Sequence, residues 1–405
     1  RGRTRDSRVA PGGSVRSADR LGRSARMTLR GTTSPGIEDV AVGEGCRLLA
    51  DAGFEVTTSS ARAYGLAGVV SWELADAGPD DVRRADPLRG ARSLYHVAVH
   101  TCELEWDGRS LESLLRAIRG VPCDAMTTAR SFRVSCNRAG EHGFQSPEVE
   151  REVGAILQDR YGTPVDLEHY DLHVKVDVVG ERAFCGYQLT GRKGLDRRYP
   201  WIYHPRVTLR TPIAYAMLEL AGFVDAPGRL HDPFCGSGTI VLEAASVVRE
   251  RSGSAGRGSP VSISGSDWDP KAVGGARANI EAAGLGEIDV YEHDAFEIAS
   301  ALPEAGIRYL VTNPPFGIRI ARGTNFLSFY RRLLEGAATV LEPGGVLALL
   351  VGKRRAVFNR VLRGFPEFEL EGVRVIEMGG VFPALFLLRR TSVEYPIDGS
   401  AARER

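Results

Sequence analysis

The sequence predicts an α/β protein whose C-terminal half is a mostly parallel sheet with helices on both faces, preceded by smaller α+β units. Three observations predict it. From Thr211 onward short apolar runs alternate with helical patterns, the βαβα order that a parallel sheet requires. The first of those runs ends in a glycine turn, Gly236-Ser237-Gly238, that opens a helix. Upstream, between Met27 and Thr190, strands and helices alternate in shorter cycles that contain no catalytic constellation.

Taken in order, residues 1–26 hold eight Arg, two Asp and almost no large apolar side chain, so they cannot bury enough surface to offset the entropy of ordering. They are expected to be disordered, and an RNA-touching arm, a transit peptide and a non-native extension remain open readings. A first α+β cycle (27–82) follows: a strand over Met27–Thr32, a Pro35-Gly36 turn, a helix near Ile37–Ala52, and strands over Phe54–Ser59 and Gly68–Glu73. The second cycle (83–190) has strands over Tyr95–Glu105, Ser131–Asn137, Leu172–Val179 and Arg182–Leu189, with helices over Ser110–Arg119 and Pro147–Tyr161. Residues 191–210 mix glycine, proline, aromatic and basic residues without periodicity and read as a linker. In the C-terminal region (211–395) strands are expected at Leu230–Asp232, Val261–Asp267, Ile288–His293, Tyr309–Thr312, Val346–Val351, Phe368–Ile376 and Ala384–Arg389, with a solvated Gly/Ser loop over Ser252–Ser259 and a tail from 396.

Composition narrows the class. With 405 residues, 43% hydrophobic and 25% charged, the chain fits two or three folded domains and excludes disordered, collagen-like and coiled-coil architectures. Its most apolar stretch, Val346–Val351, is too short to cross a bilayer, so no membrane partner is expected. The six cysteines are scattered without a C-x-x-C pair, which indicates neither a metal site nor a disulfide framework and suits a reducing, cytoplasmic setting. The net charge of +1 is a cancellation: residues 1–26 carry +6 and 191–210 carry +5, set in an otherwise acidic chain.

The chemistry-bearing residues lie at the ends of the C-terminal strands. Asp232-Pro233-Phe234-Cys235-Gly236-Ser237-Gly238-Thr239 joins a strand to a helix, so glycines let the backbone approach a ligand and the helix start presents free N–H groups. Val241 occupies the third glycine position of a dinucleotide fingerprint, which disfavours hydride transfer, and Asp232 would repel a pyrophosphate. A nucleotide-like cofactor with a cationic amino-acid end, such as S-adenosylmethionine, fits better. Asp267, just over 30 residues after the turn, can accept both ribose hydroxyls, while Asp269 before Pro270 suits a helix cap. Asp294 can accept from an adenine amine, with Trp268 and Phe296 flanking the ring.

Asn313-Pro314-Pro315-Phe316 ends the fourth strand. An exocyclic amine on a base is a poor nucleophile because its lone pair is delocalised into the ring. The Asn313 side-chain oxygen and the Pro314 carbonyl can hold both N–H bonds and localise that pair, the prolines stiffen the backbone, and Phe316 offers a face for a flipped base. Arg319 and Arg322 beyond it are read as facing phosphate, with Arg319 an RNA contact, because Arg forks suit phosphate; surface charges are the alternative.

These motifs resemble the class I S-adenosylmethionine-dependent methyltransferases that modify exocyclic amines. Upstream, Ser131-Phe132-Arg133-Val134 with Arg138, Gly140 and His142, then Val165-Asp166-Leu167 and Gly186-Tyr187-Gln188-Leu189-Thr190-Gly191, look like a THUMP domain preceded by a ferredoxin-like domain. Together, over residues 27 to about 395, the chain is similar to the THUMP-containing guanine-N2 methyltransferases of tRNA. The resemblance implies a Rossmann-like domain with a seven-stranded, mostly parallel sheet. It implies cofactor contacts from Asp232, Phe234, Gly236, Ser237, Gly238, Thr239, Asp267, Trp268, Asp294, Ala295 and Asn313, with catalysis by Asn313, Pro314 and Phe316. No metal is expected, and the chain is expected to act as a monomer; the resemblance implies methylation of guanine N2 in tRNA, position 6 of the acceptor stem in the family. The same chemistry on 23S rRNA or on adenine N6, and a non-catalytic RNA-binding factor built on the same shell, are the alternatives. Arg133, Arg138 and His142 are the RNA contacts implied by the THUMP likeness, although that segment sums to −3. Arg192, Lys193, Arg197 and Arg198, with Tyr199, Trp201 and Tyr203 interleaved, can hold phosphates and bases or pack on a domain face.

Overall fold

The computed structural model describes residues 27–206, 208–255, 261–286, 288–302, 306–315 and 325–392. The leader 1–26, residues 256–259 of the Gly/Ser loop, Phe316, Arg319, Arg322 and the tail from 396 lie outside the described residues. The chain divides into two units, one of residues 27–32, 42–91 and 95–194, the other of 33–41, 92–94 and 195–392.

In the first unit, β1 (Met27–Thr32), β2 (Val56–Ala61), β3 (Val69–Leu74), β4 (His96–Glu105), β5 (Phe132–Ala139), β6 (Leu172–Val179) and β7 (Arg182–Gln188) form one sheet, ordered β2-β3-β1-β4-β7-β6-β5. Neighbours are antiparallel except β5 and β6. The strands of the two cycles therefore share a sheet, joined where Thr28 of β1 stands opposite His100 of β4. The helices are α1 (Glu38–Asp51), whose residues 38–41 belong to the second unit, α2 (Pro79–Ala85), α3 (Leu111–Ile118) and α4 (Ser146–Tyr161). Helix α4 starts where the Glu148 carboxylate accepts from the Gln145 N–H at 2.7 Å, and stops at Gly162, whose φ of +70° closes the last turn. Helix α2 was not expected from the pattern: it buries only Val82, too few apolar residues to show a period, and it is nucleated by Pro79 and by Asp81 accepting from Gly78 N at 2.9 Å.

In the second unit, β8 (Leu230–Asp232), β9 (Ile263–Asp267), β10 (Ile288–Glu292), β11 (Ile307–Thr312), β12 (Leu341–Val351), β13 (Phe368–Val375) and β14 (Ala384–Arg390) are ordered β10-β9-β8-β11-β12-β14-β13. The first five in that order run parallel, and β14 runs antiparallel to both β12 and β13, which is the seven-stranded, mostly parallel sheet expected. Around it lie α5 (Thr211–Leu220), α6 (Thr239–Ala255), α7 (Pro270–Ala282), α8 (Ile298–Ala301), α9 (Phe326–Val340) and α10 (Arg355–Leu362). Side chains alternate between two cores: Tyr309 and Val311 join the core that contains residues of α5, α6 and α7, whereas Leu310 joins the core built with α9 and α10. A strand covered on both faces is apolar throughout, which is why Val346–Val351 reads as one run. Helix α6 continues to Ala255, so the segment expected as a loop from Ser252 begins as helix, each further residue adding a backbone bond to an existing turn.

Chain order runs outward from β8 to β9 and β10, then resumes at β11 on the other side of β8. The crevice beyond the carboxyl ends of β8 and β11 is the point where a parallel sheet of this kind binds ligands.

Candidate active site

Strand β8 ends in Asp232, which is 1% exposed. Its Oδ1 accepts from the Thr312 hydroxyl at 2.7 Å and from Phe234 N at 3.1 Å. Burial pushes this carboxyl up to about 7, against the pull of those two hydrogen bonds, and the neighbouring Asp267 adds to the rise. Asp267 closes β9; its Oδ2 accepts from Gly236 N at 3.0 Å and its Oδ1 from Asp269 N at 3.0 Å, and burial raises its carboxyl too. Asp269 caps α7, its Oδ1 accepting from Lys271 N at 2.9 Å.

The turn between β8 and α6 needs its glycines. Gly236 and Gly238 have φ of +54° and +84°, which side chains resist, and a Cβ on Gly265 of β9 would lie 2.9 Å from that of Cys235. Below Asp232, buried His231 has its ring nitrogens 2.9 and 3.2 Å from the hydroxyls of Ser264 and Ser266; burial holds it near 3 and therefore neutral. Ser237 and Thr239 are buried with hydroxyls 3.3 Å apart.

Two carboxylates with raised pKa at the ends of adjacent strands suit a cation and ribose hydroxyls, and disfavour a pyrophosphate. The residues present thus fit S-adenosylmethionine, whose sulfonium and ammonium are cationic.

Strand β11 carries Asn313 and Pro314 to the same end of the sheet, next to β8. The Oδ1 of Asn313 is withdrawn from solvent and accepts no hydrogen bond among the described residues. An orphan acceptor of this kind costs free energy unless a ligand donor meets it, and an amine N–H is such a donor.

Aromatic rings border the crevice. Phe234, Phe296 and Phe329 pack with centroids 5.1–6.3 Å apart, and the Arg332 guanidinium stands 4.5 Å from the Phe296 centroid. Phe296 therefore has protein neighbours of its own, while Trp268 is 73% exposed. Asp294 caps a short turn, its Oδ1 accepting from Phe296 N at 2.9 Å, with Ala295 buried beside it.

The RNA candidates are distributed differently. In the first unit Arg133 lies 5.4 Å from the Tyr170 ring and 3.5 Å from Leu167 O, while Arg138 donates to Gln145 Oε1 at 2.9 Å. His142 Nε2 is 3.0 Å from Gly180 O, and Arg192 donates to Glu168 O. Lys193 and Arg197 are exposed. Arg198 instead turns inward, donating to Arg92 O at 2.7 Å and lying 3.4 Å from the buried carboxylate of Glu243. The linker aromatics also pack inward. Tyr199 is buried beside Arg92, Trp201 sits edge-on to it, and the ring of Tyr203 fills the space where Gly275 of α7 has no side chain.

Two polar residues were not singled out by sequence reasoning. Thr312 links the strand before Asn313 to Asp232, and buried Asn279 on α7 donates to Ser237 O at 3.0 Å. The signal for Asn279 is its place on the apolar stripe Ala272, Val273, Ala276 and Ile280; Thr312 gives none beyond being polar at the end of a buried strand.

Comparison with known proteins bears on the fold and the family. Residues 202–382 match the family model described as "RMKL-like, methyltransferase domain", and residues 108–185 match the THUMP domain model. The chain is 39% identical over 371 residues to a tRNA (guanine(6)-N2)-methyltransferase of Thermus thermophilus, covering 90% of this chain and 100% of that protein. Its fold is similar to the crystal structure of TrmN from Thermus thermophilus, with a TM-score of 0.73 and 37% identity over 90% of this chain and 99% of that one. The crystal structure of "SMU.472, a putative methyltransferase complexed with SAH" shares the fold at 17% identity, with a TM-score of 0.68 over 92% of this chain and 100% of its own.

Proposed function

Since the chain belongs to the tRNA (guanine-N2)-methyltransferases that carry a THUMP domain, we propose that it methylates the N2 amine of guanine 6 in the acceptor stem of tRNA. The observation that carries this reading is the orphan Asn313 Oδ1 at the end of β11, one residue from the hydroxyl that holds Asp232. Along the chain this reading takes an N-terminal ferredoxin-like segment (27–82), a THUMP segment (83–190), a basic linker (191–210) and the methyltransferase domain (211–395).

When bound, S-adenosylmethionine supplies an electrophilic methyl group on a sulfonium. Asp232 and the glycine turn, with Ser237 and Thr239, hold its amino-acid end. Asp267 accepts from the ribose hydroxyls, and Asp294 with Ala295 and Trp268 receives the adenine. Asn313 Oδ1 and the Pro314 carbonyl would accept the two amine hydrogens of guanine, which localises the nitrogen lone pair and makes it nucleophilic. The stiff Pro314-Pro315 backbone keeps both acceptors aligned at no reorganisation cost during transfer. The amine proton then leaves to solvent.

The test is nucleoside mass spectrometry on unmodified tRNA transcripts treated with the protein and S-adenosylmethionine. N2-methylguanosine at position 6, lost when that guanine is replaced, is expected. Cofactor binding without N2-methylguanosine, or N6-methyladenosine in its place, overturns the reading.

A further inference from the structure

Asn279 of α7 is 1% exposed, and every hydrogen-bonding group of its amide is used. Nδ2 donates to Ser237 O at 3.0 Å and to Tyr203 O at 2.9 Å; Oδ1 accepts from Ile202 N and Tyr203 N, both at 2.8 Å. Two carbonyls on one side and two N–H groups on the other admit only this orientation of the amide. Ser237 is the middle residue of the glycine turn. Its carbonyl belongs to the 237–238 peptide, whose N–H donates to Cys235 O at 2.8 Å, so Asn279 holds one end of a peptide plane that the turn itself holds at the other.

The other partner is a segment with few anchors of its own. Ile202 is 69% exposed, and Tyr203 rests on Gly275, where a Cβ would come within 2.2 Å of the ring. A glycine in the interior of α7 lowers helix stability, and here it makes room for that ring.

We propose that Asn279 is a positioning residue that couples docking of the 202–203 segment to the shape of the cofactor turn. The proposal rests on the reading of Gly236–Gly238 as the place of the cofactor's amino-acid end. Because one amide serves both partners, whatever orders the turn also orders the segment, and by linkage the docked segment favours cofactor binding.

Hydrogen exchange of the full chain with and without S-adenosylhomocysteine tests this without a variant. The amides of Ile202 and Tyr203 are expected to exchange about tenfold more slowly with the ligand bound. Asn279→Asp keeps the shape and the acceptors but loses both donors. It is expected to lose that ligand-dependent protection and to raise KM for S-adenosylmethionine about tenfold, with kcat at saturation within about twofold of wild type. Ile202→Pro, at an exposed side chain, removes one N–H from the same amide and should weaken S-adenosylhomocysteine binding in the same direction. Wild-type binding with no change in exchange at 202–203 overturns the coupling alone. No binding of S-adenosylhomocysteine by the wild-type chain overturns the cofactor reading and the coupling with it.

Discussion

Replacing Asp232 by Asn should stabilise the protein without ligand and do so increasingly as pH rises. Asp232 is buried, and its carboxyl stands at about 7 instead of the ordinary 3.8. Between those values the folded chain holds a proton that the unfolded chain has released, so stability falls as pH rises through this window and levels off above 7. One pKa unit corresponds to about 1.4 kcal/mol, so the full cost above pH 7 is on the order of 4 kcal/mol, more than half of which accrues between pH 5 and pH 7.5. Asn keeps an oxygen for the Thr312 hydroxyl and Phe234 N, so packing and hydrogen bonds are retained. Urea denaturation of the ligand-free wild type and Asp232→Asn at both pH values measures the effect. The difference in favour of the variant should widen by roughly 2–3 kcal/mol from the lower pH to the higher. Conversely, S-adenosylmethionine should bind wild type more tightly as Asp232 ionises toward pH 8, and Asp232→Asn should bind it weakly at every pH. A stability difference that stays constant from pH 5 to pH 7.5 would refute the account of Asp232 as a carboxylate strained by burial.

Three further outcomes follow from the geometry. Asn313→Ala should lower kcat by about 10²–10³ while leaving tRNA binding unchanged and thermal stability no lower, because it removes an orphan acceptor used only by the reacting amine; unchanged turnover would remove Asn313 from the mechanism. Arg92→Met should cost about 3–5 kcal/mol in urea denaturation, since it takes the 2.9 Å partner from Glu243, which is 0% exposed, and the 2.8 Å donor from Ser246; a loss under about 1 kcal/mol would show the cluster to be dispensable. Exposed Arg197 and inward-turned Arg198 should separate. Arg197→Ala should lower tRNA affinity and reduce the salt slope by about one with stability intact, whereas Arg198→Ala should lower stability by about 1–3 kcal/mol, and equal salt-slope effects from both would contradict the placement of Arg198.

Much of the candidate site was legible because its signals are local. A glycine turn, an acid at the next strand end and an Asn-Pro-Pro segment each occupy a few consecutive residues at a βα junction, and a parallel sheet brings successive strand ends to one edge. Asp232, Asp267 and Asn313 meet there for that reason. Thr312 and Asn279 were not legible, since their roles come from partners about 80 and 40 residues away, and periodicity contains nothing about which distant atoms meet. The same holds for β1 and β4, whose pairing joins two cycles that read as separate along the chain.

By itself the sequence determined which residues stand at the strand ends and the mostly parallel sheet, because alternation, turn residues and short motifs are properties of neighbouring residues. Only the tertiary structure decided which way the side chains of the basic island from 191 to 210 turn. Its net charge of +5 invites a reading as one RNA-facing patch, yet Arg198 is drawn to buried Glu243 beside Arg92, and Tyr203 is seated on Gly275. A buried carboxylate needs cations and a helix surface without a side chain needs a ring, and those demands arise from residues far along the chain.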